Sequence, residues 1–149
     1  MIQRKQTAFL ALAVIFLVQL FVFPVYSFNK DGQSLLFYIY GLGQLNPDFF
    51  VLIALNVFSI FLLVAIIFLY KNRKNQLLLC KIATLLITGL IVAIFYFTEN
   101  AKSLPELAGY TSEIRPMLVA PLAALVLVIL ANRAIKQDEE LVRSADRLR

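Results

Sequence analysis

Polar residues fall in clusters along this chain, and between the clusters run four apolar stretches, residues 7–26, 49–69, 77–97 and about 115–134, none of which contains an Asp or Glu. Each is close to the roughly 20 residues a helix needs to cross about 30 Å of hydrocarbon, whereas core helices of water-soluble domains are usually shorter and apolar on one face only. The pattern predicts an all-α membrane protein, a four-transmembrane-helix bundle in which residues 1–149 form one membrane domain. Beyond residue 134 the periodicity stays helical but the composition changes. Glu139 precedes Arg143 by four, and Leu141, Val142, Ala145 and Leu148 form a narrow stripe, so residues 135–149 are expected to be an amphipathic C-terminal helix.

The connections are of two kinds. Lys71-Asn72-Arg73-Lys74-Asn75-Gln76 is a short polar turn, which makes the second and third helices antiparallel neighbours. The first long loop contains Asn29-Lys30-Asp31-Gly32, a turn signal, between Val25-Tyr26-Ser27-Phe28 and a run from Gln33 to Tyr40 that is rich in aromatic residues. Either a short β-hairpin forms there, or the loop lies at the interface with Tyr38 and Tyr40 at headgroup level. Residues 100–114, with Pro105 and Gly109, are expected to be irregular. Pro121 would leave the Met117 carbonyl without its helical donor, which predicts a kink in the fourth helix.

Composition agrees with a membrane location. Of the residues 61% are hydrophobic and 15% charged, with a mean hydropathy of +0.83, against about 45–50% apolar and about 25% charged in a soluble domain. The distribution of cations then gives an orientation. Two precede the first run, four lie at the turn between the second and third, and five follow residue 132, so 11 of the 14 Lys and Arg fall on one side of a four-pass trace. The positive-inside rule places both termini in the cytoplasm. It also accounts for the net charge of +5 without nucleic acid. Arg4-Lys5 followed by an apolar run resembles a signal peptide, but the stretch from Ala8 to Val25 exceeds the usual h-region of about 7–15 residues, so an uncleaved first helix is expected.

Chemistry is sparse. The chain has no His and a single Cys, Cys80, which removes the usual general base, the commonest metal ligand and any internal disulfide. Carboxylates are confined to loops and tail. The run Asp138-Glu139-Glu140 could in principle hold a divalent cation, although adjacent side chains on a helix diverge and a solvated helix face explains it more simply. No enzyme activity and no cofactor are expected. One constellation remains: Gln19, Asn56 and Thr88 lie at similar depths in their runs, with Ser59, Thr84 and Pro121 nearby. This candidate polar layer is either a solute or ion site at the midplane or hydrogen-bonded glue between helices, the reading favoured by its lack of charge.

The chain's ends carry a resemblance. Met1-Ile2-Gln3-Arg4 with Gln6-Thr7, then Tyr70-Lys71-Asn72-Arg73 with Gln76 and Leu79-Cys80, and finally Asp138-Glu139, Leu141-Val142-Arg143-Ser144 and Asp146-Arg147-Leu148-Arg149 resemble a bacterial family of small four-pass inner-membrane proteins catalogued only as a domain of unknown function. The resemblance implies the inner membrane of a Gram-negative bacterium and a four-helix bundle, and implies no activity. The reading that follows is a non-enzymatic accessory or scaffold subunit of a membrane complex, in contact with the lipid bilayer and with protein partners in the membrane or at its cytoplasmic face. The alternative is a small transporter or channel using the polar layer. For the tail, Leu141, Val142, Ala145 and Leu148 are candidates for docking a partner, with packing against the chain's own 71–76 turn as the rival.

Overall fold

The computed structural model describes residues 3–30, 32–41, 49–70 and 72–147. In chain order the elements are α1 (Gln3–Gln19), β1 (Tyr26–Lys30), β2 (Gln33–Phe37), α2 (Phe50–Phe68), α3 (Arg73–Lys102), β3 (Thr111–Ile114) and α4 (Val119–Arg147). Helix α1 packs on α4 and α2, and α3 packs on α2 and α4, which closes the four helices into a ring. Where α1 and α3 end, a three-stranded antiparallel sheet of order β2-β1-β3 covers the ring. The opposite end carries the short turn between α2 and α3, the start of α1 and the charged half of α4.

Each helix buries positions three or four residues apart, the spacing that keeps one seam facing a neighbour. On α1 these are Gln6, Leu10, Ala13 and Leu17, and on α2 Leu52, Asn56, Ser59, Leu63 and Ile66. On α4 they are Ala120, Ala124, Val128, Ala131 and Ile135, and the alanines of α4 with Ala13 of α1 let those two backbones approach closely. Cys80 is fully buried in the corresponding seam of α3. The remaining faces are as apolar as the seams but open: Phe61, Leu85, Val92 and Val126 are all exposed. Water does not tolerate so large an apolar surface, and acyl chains do. Helices α2, α3 and α4 are each long and apolar enough to cross a membrane, whereas α1 contributes a shorter apolar helix over Lys5–Gln19.

Several boundaries depart from the expected ones for identifiable reasons. The first helix stops at Gln19 rather than running to residue 26. Tight turns, in which Leu20, Phe21 and Val22 donate to carbonyls three residues back, carry the chain to Pro24, whose ring excludes the helical conformation for the residue before it. Tyr26 then enters β1. Helix α3 continues at both ends past the expected 77–97, its start capped by Asn72, whose side chain accepts from the Asn75 amide at 3.3 Å.

Residues 100–114 are not irregular throughout. They hold the last turn of α3, a 3-10 turn over Pro105–Leu107 and strand β3, which the local sequence could not announce because its partner β1 is far away along the chain. Finally, α4 starts at Val119 after a 3-10 turn over Pro116–Leu118, and it runs without a break into the tail. Pro121 therefore lies in the first turn, where no intrahelical donor is lost, and the Met117 carbonyl accepts from the Val119 amide. The expected mid-helix kink is replaced by a later helix start.

The hairpin forms as one of the two expected alternatives. Lys30 pairs with Gln33 across the Asp31-Gly32 corner, and Gly32 adopts φ +82°, a conformation costly for residues with a β-carbon. Asp31 itself lies outside the described residues. Tyr38 and Tyr40 fall beyond the ladder, stacked at 5.0 Å between ring centroids.

Candidate functional site

The polar residues of the helical ring separate into two groups by what they touch. Within the apolar length of the helices, hydroxyl groups bond back to their own helix: Ser59 donates to the Leu55 carbonyl at 2.7 Å, Thr84 to Cys80 at 2.8 Å, Thr88 to Thr84 at 2.8 Å and Thr98 to Ile94 at 2.7 Å. Asn56 is the member that reaches across. Its amide nitrogen donates to the Leu17 carbonyl of α1 at 3.1 Å, and its enclosed amide oxygen has no donor among the described residues.

Gln19 is half-buried as the last residue of α1, with its carbonyl accepting from Val22 and Phe23, and Pro121 is buried in α4. Thr84 is half-buried and Thr88 is exposed. The predicted layer is therefore brought together only in part: Asn56 and Ser59 share the inner seam of α2, while Thr88 lies on the outer surface.

At the turn end, side chains from three helices meet. Gln6 of α1 and Asp138 of α4 are both buried, and the Gln6 amide donates to one carboxylate oxygen of Asp138. Arg73, in the first turn of α3, donates to the Asp138 backbone carbonyl at 2.8 Å. Gln76, also buried, donates to the Ile66 carbonyl of α2 at 2.8 Å and ties the turn shut. The second carboxylate oxygen of Asp138 has no donor among the described residues. Sequence reasoning took Asp138 as part of a solvated acidic face. The signal it held is its seven-residue spacing from Ala131 on the buried face of α4, which places it on the seam.

The acidic run diverges accordingly. Asp138 points inward to Gln6, while Glu139 and Glu140 line a cleft of about 420 Å³ between α3 and α4, together with Leu77, Lys81, Asn132 and Lys136. Lys136 and Glu140 pair at 3.9 Å with both side chains largely exposed, a contact of little energetic weight. Among the described residues no group of three or more His, Cys, Asp or Glu could hold a metal ion. Of the proposed docking stripe, Leu141 and Val142 are exposed, whereas Leu148 and the side chain of Ala145 lie outside the described residues.

The sheet end has its own polar locks. Arg115 donates through Nε to the buried Ser27 hydroxyl at 3.0 Å and through its backbone amide to the Val25 carbonyl at 3.0 Å. Lys30 donates to the Ala108 carbonyl at 2.9 Å and sits 5.4 Å from the centre of the Tyr110 ring. Gly109 lies beside that ammonium at φ +85°, a conformation costly for residues with a β-carbon. These contacts fasten the loop before β3 to the hairpin. They are structural, with no reacting group among them.

Among the described residues, neither end brings a nucleophile beside a base. No curated protein matches the chain. Residues 2–148 match the profile of the family described as Domain of unknown function (DUF4293), and the chain belongs to that family.

Proposed function

We propose that the chain is a four-pass protein of the bacterial inner membrane, with the turn end and both termini in the cytoplasm, that serves as a non-enzymatic accessory or scaffold subunit of a membrane complex. The observation that carries this reading is the use of polar side chains inside the helices. The hydroxyls of Ser59, Thr84, Thr88 and Thr98 bond to carbonyls of their own helices and Asn56 bonds to α1, so these groups hold structure rather than line a shared layer. Although α1 is the shortest helix, its turns continue to Phe23 and its seam packs on α4 and α2, which supports a crossing in company with the others. Four crossings leave both termini on the side of the cation-rich turn.

A second reading, a small transporter or channel, is favoured by one observation: the enclosed amide oxygen of Asn56 lacks a donor among the described residues and could take one from a solute. Asn56→Leu combined with Thr88→Val separates the two. A scaffold keeps its phenotype in complementation wherever the double variant accumulates, and a transporter loses it while still melting as a folded protein in detergent.

Orientation is tested independently. Cys80 is fully buried and is expected to react with a thiol reagent from neither side. In a Cys80→Ala background, a membrane-impermeant maleimide should label Lys102→Cys in intact spheroplasts and Lys74→Cys only after lysis. The reverse pattern overturns the orientation, and equal labelling of both overturns the four-pass count.

A further inference from the structure

We propose that the cleft between α3 and α4 at the turn end binds the headgroup of one zwitterionic phospholipid, a phosphodiester carrying a primary ammonium, as in phosphatidylethanolamine. The position suits a lipid. Leu77 and Lys81 lie one turn apart on α3, and Asn132, Lys136, Glu139 and Glu140 recur on one face of α4, so two antiparallel helix faces form the walls of a space of about 420 Å³. Leu78, Ile82 and Leu85 on α3 and Ile129 and Leu130 on α4 are exposed beside it. The charged cleft thus opens directly next to surface that only acyl chains can cover, which is the level of headgroups.

The charge pattern selects the headgroup. Lys136 and Glu140 pair with each other. Among the described residues, that leaves Lys81 and Glu139 as one cation and one anion without an ion-pair partner in the same cleft. Asn132 contributes a polar side chain to the same wall.

A phosphate diester matches Lys81, and a primary ammonium, with three N–H groups, matches the Glu139 carboxylate. An anionic headgroup without an amine, such as phosphatidylglycerol, would satisfy Lys81 and leave the Glu139 carboxylate unpaired. A cleft with two cations and two anions gives it no net attraction in compensation.

The full chain, purified in mild detergent, can be titrated with dioleoyl phosphatidylethanolamine, with dioleoyl phosphatidylglycerol, and with soluble glycerophosphoethanolamine, reading bound lipid by native mass spectrometry. The ethanolamine lipid should bind about ten-fold tighter than the glycerol lipid, as expected for one charge-assisted hydrogen bond. Glu139→Gln should reduce its affinity to that of the glycerol lipid, and Lys81→Gln should weaken both lipids. Both side chains line an open cleft, so unchanged melting in the variants is expected and serves as the control for folding. Equal affinity of the two lipids for the unmodified chain overturns the proposal, and so does an ethanolamine preference that survives Glu139→Gln. If soluble glycerophosphoethanolamine binds as tightly as the lipid, the site is for a free phosphoethanolamine compound and the lipid assignment is wrong.

Discussion

The two ends of the helical ring are closed by different kinds of bond. At the sheet end, β1 pairs with β2 on one side and β3 on the other, and β3 joins a strand some 80 residues earlier, as the Thr111 hydroxyl bonded to the Asn29 carbonyl across 82 residues illustrates. Those rungs are backbone to backbone and depend little on which side chains the strands carry; all four residues of β3 are exposed. At the turn end the closure is made by side chains: Gln6 to Asp138, Arg73 to the Asp138 carbonyl and Gln76 to the Ile66 carbonyl. A ladder tolerates exchange of its exposed residues and fails when the core beneath it is emptied. A side-chain network is sensitive to single exchanges at its members.

The largest expected effect tests the ladder from beneath. Phe28 at the centre of β1 is fully buried, and Phe28→Ala should cost about 3–5 kcal/mol in lost apolar contacts and cavity. Ser112→Ala on β3, directly opposite Phe28 in the register, should stay within about 0.5 kcal/mol. Denaturant or thermal unfolding in one detergent checks both. Comparable losses for the two would show that the sheet end relies on surface side chains after all, and the contrast between the ends would collapse.

The intermediate effect tests the network. Asp138→Ala leaves the buried Gln6 amide without an acceptor and should cost about 1–3 kcal/mol. Gln6→Leu combined with Asp138→Leu removes both polar partners at once and should cost less than Asp138→Ala alone, because neither group is left unpaired. The backbone carbonyl that Arg73 uses survives each of these changes. If the double variant is no better than the single one, the Gln6–Asp138 contact is not what makes Asp138 sensitive.

The same contrast explains what could be read from the sequence. Apolar runs announce membrane helices because length and lack of charge are local properties, and α2, α3 and α4 fulfil them. The Asn-Lys-Asp-Gly corner with β-forming neighbours offers a hairpin for the same reason, with an interfacial loop as the alternative, and the structure takes the hairpin. Strand β3 is set by a pairing partner far along the chain, and nothing in Thr111-Ser112-Glu113-Ile114 by itself distinguishes it from a loop.

The seams are hidden for another reason. A helix apolar on every face offers no hydrophobic period, so which of Leu85 and Ile87 faces protein is decided by the neighbours; the first is exposed and the second buried. Position along the apolar run could be read for Asn56 and Thr88, but rotation about the helix axis could not, and rotation separates a buried amide from an exposed hydroxyl. The first helix is expected to run through Pro24 to residue 26, and the structure ends it at Gln19 because the restriction that proline places on the residue before it outweighs the apolar pattern.

The smallest expected effect concerns pH and falls at the sheet end. Tyr26 opens β1, and burial raises its phenol above the usual value of 10.0, with the Lys102 ammonium opposing and the Glu99 carboxylate adding to the rise. A raised phenol pKa means that the folded state favours the neutral form. The stability it contributes is present below pH 10.0, the ordinary value, and is lost as pH rises through the higher value of the folded chain. Tyr26→Phe keeps the ring and removes the ionisation. Melting temperatures measured from pH 8 to about 11.5 should therefore fall less steeply for the variant than for the unmodified chain. Parallel curves would mean that the Tyr26 hydroxyl reaches water freely, and that the covered corner where α1 hands over to β1 is less tightly closed than the buried flank of Asp138 at the other end.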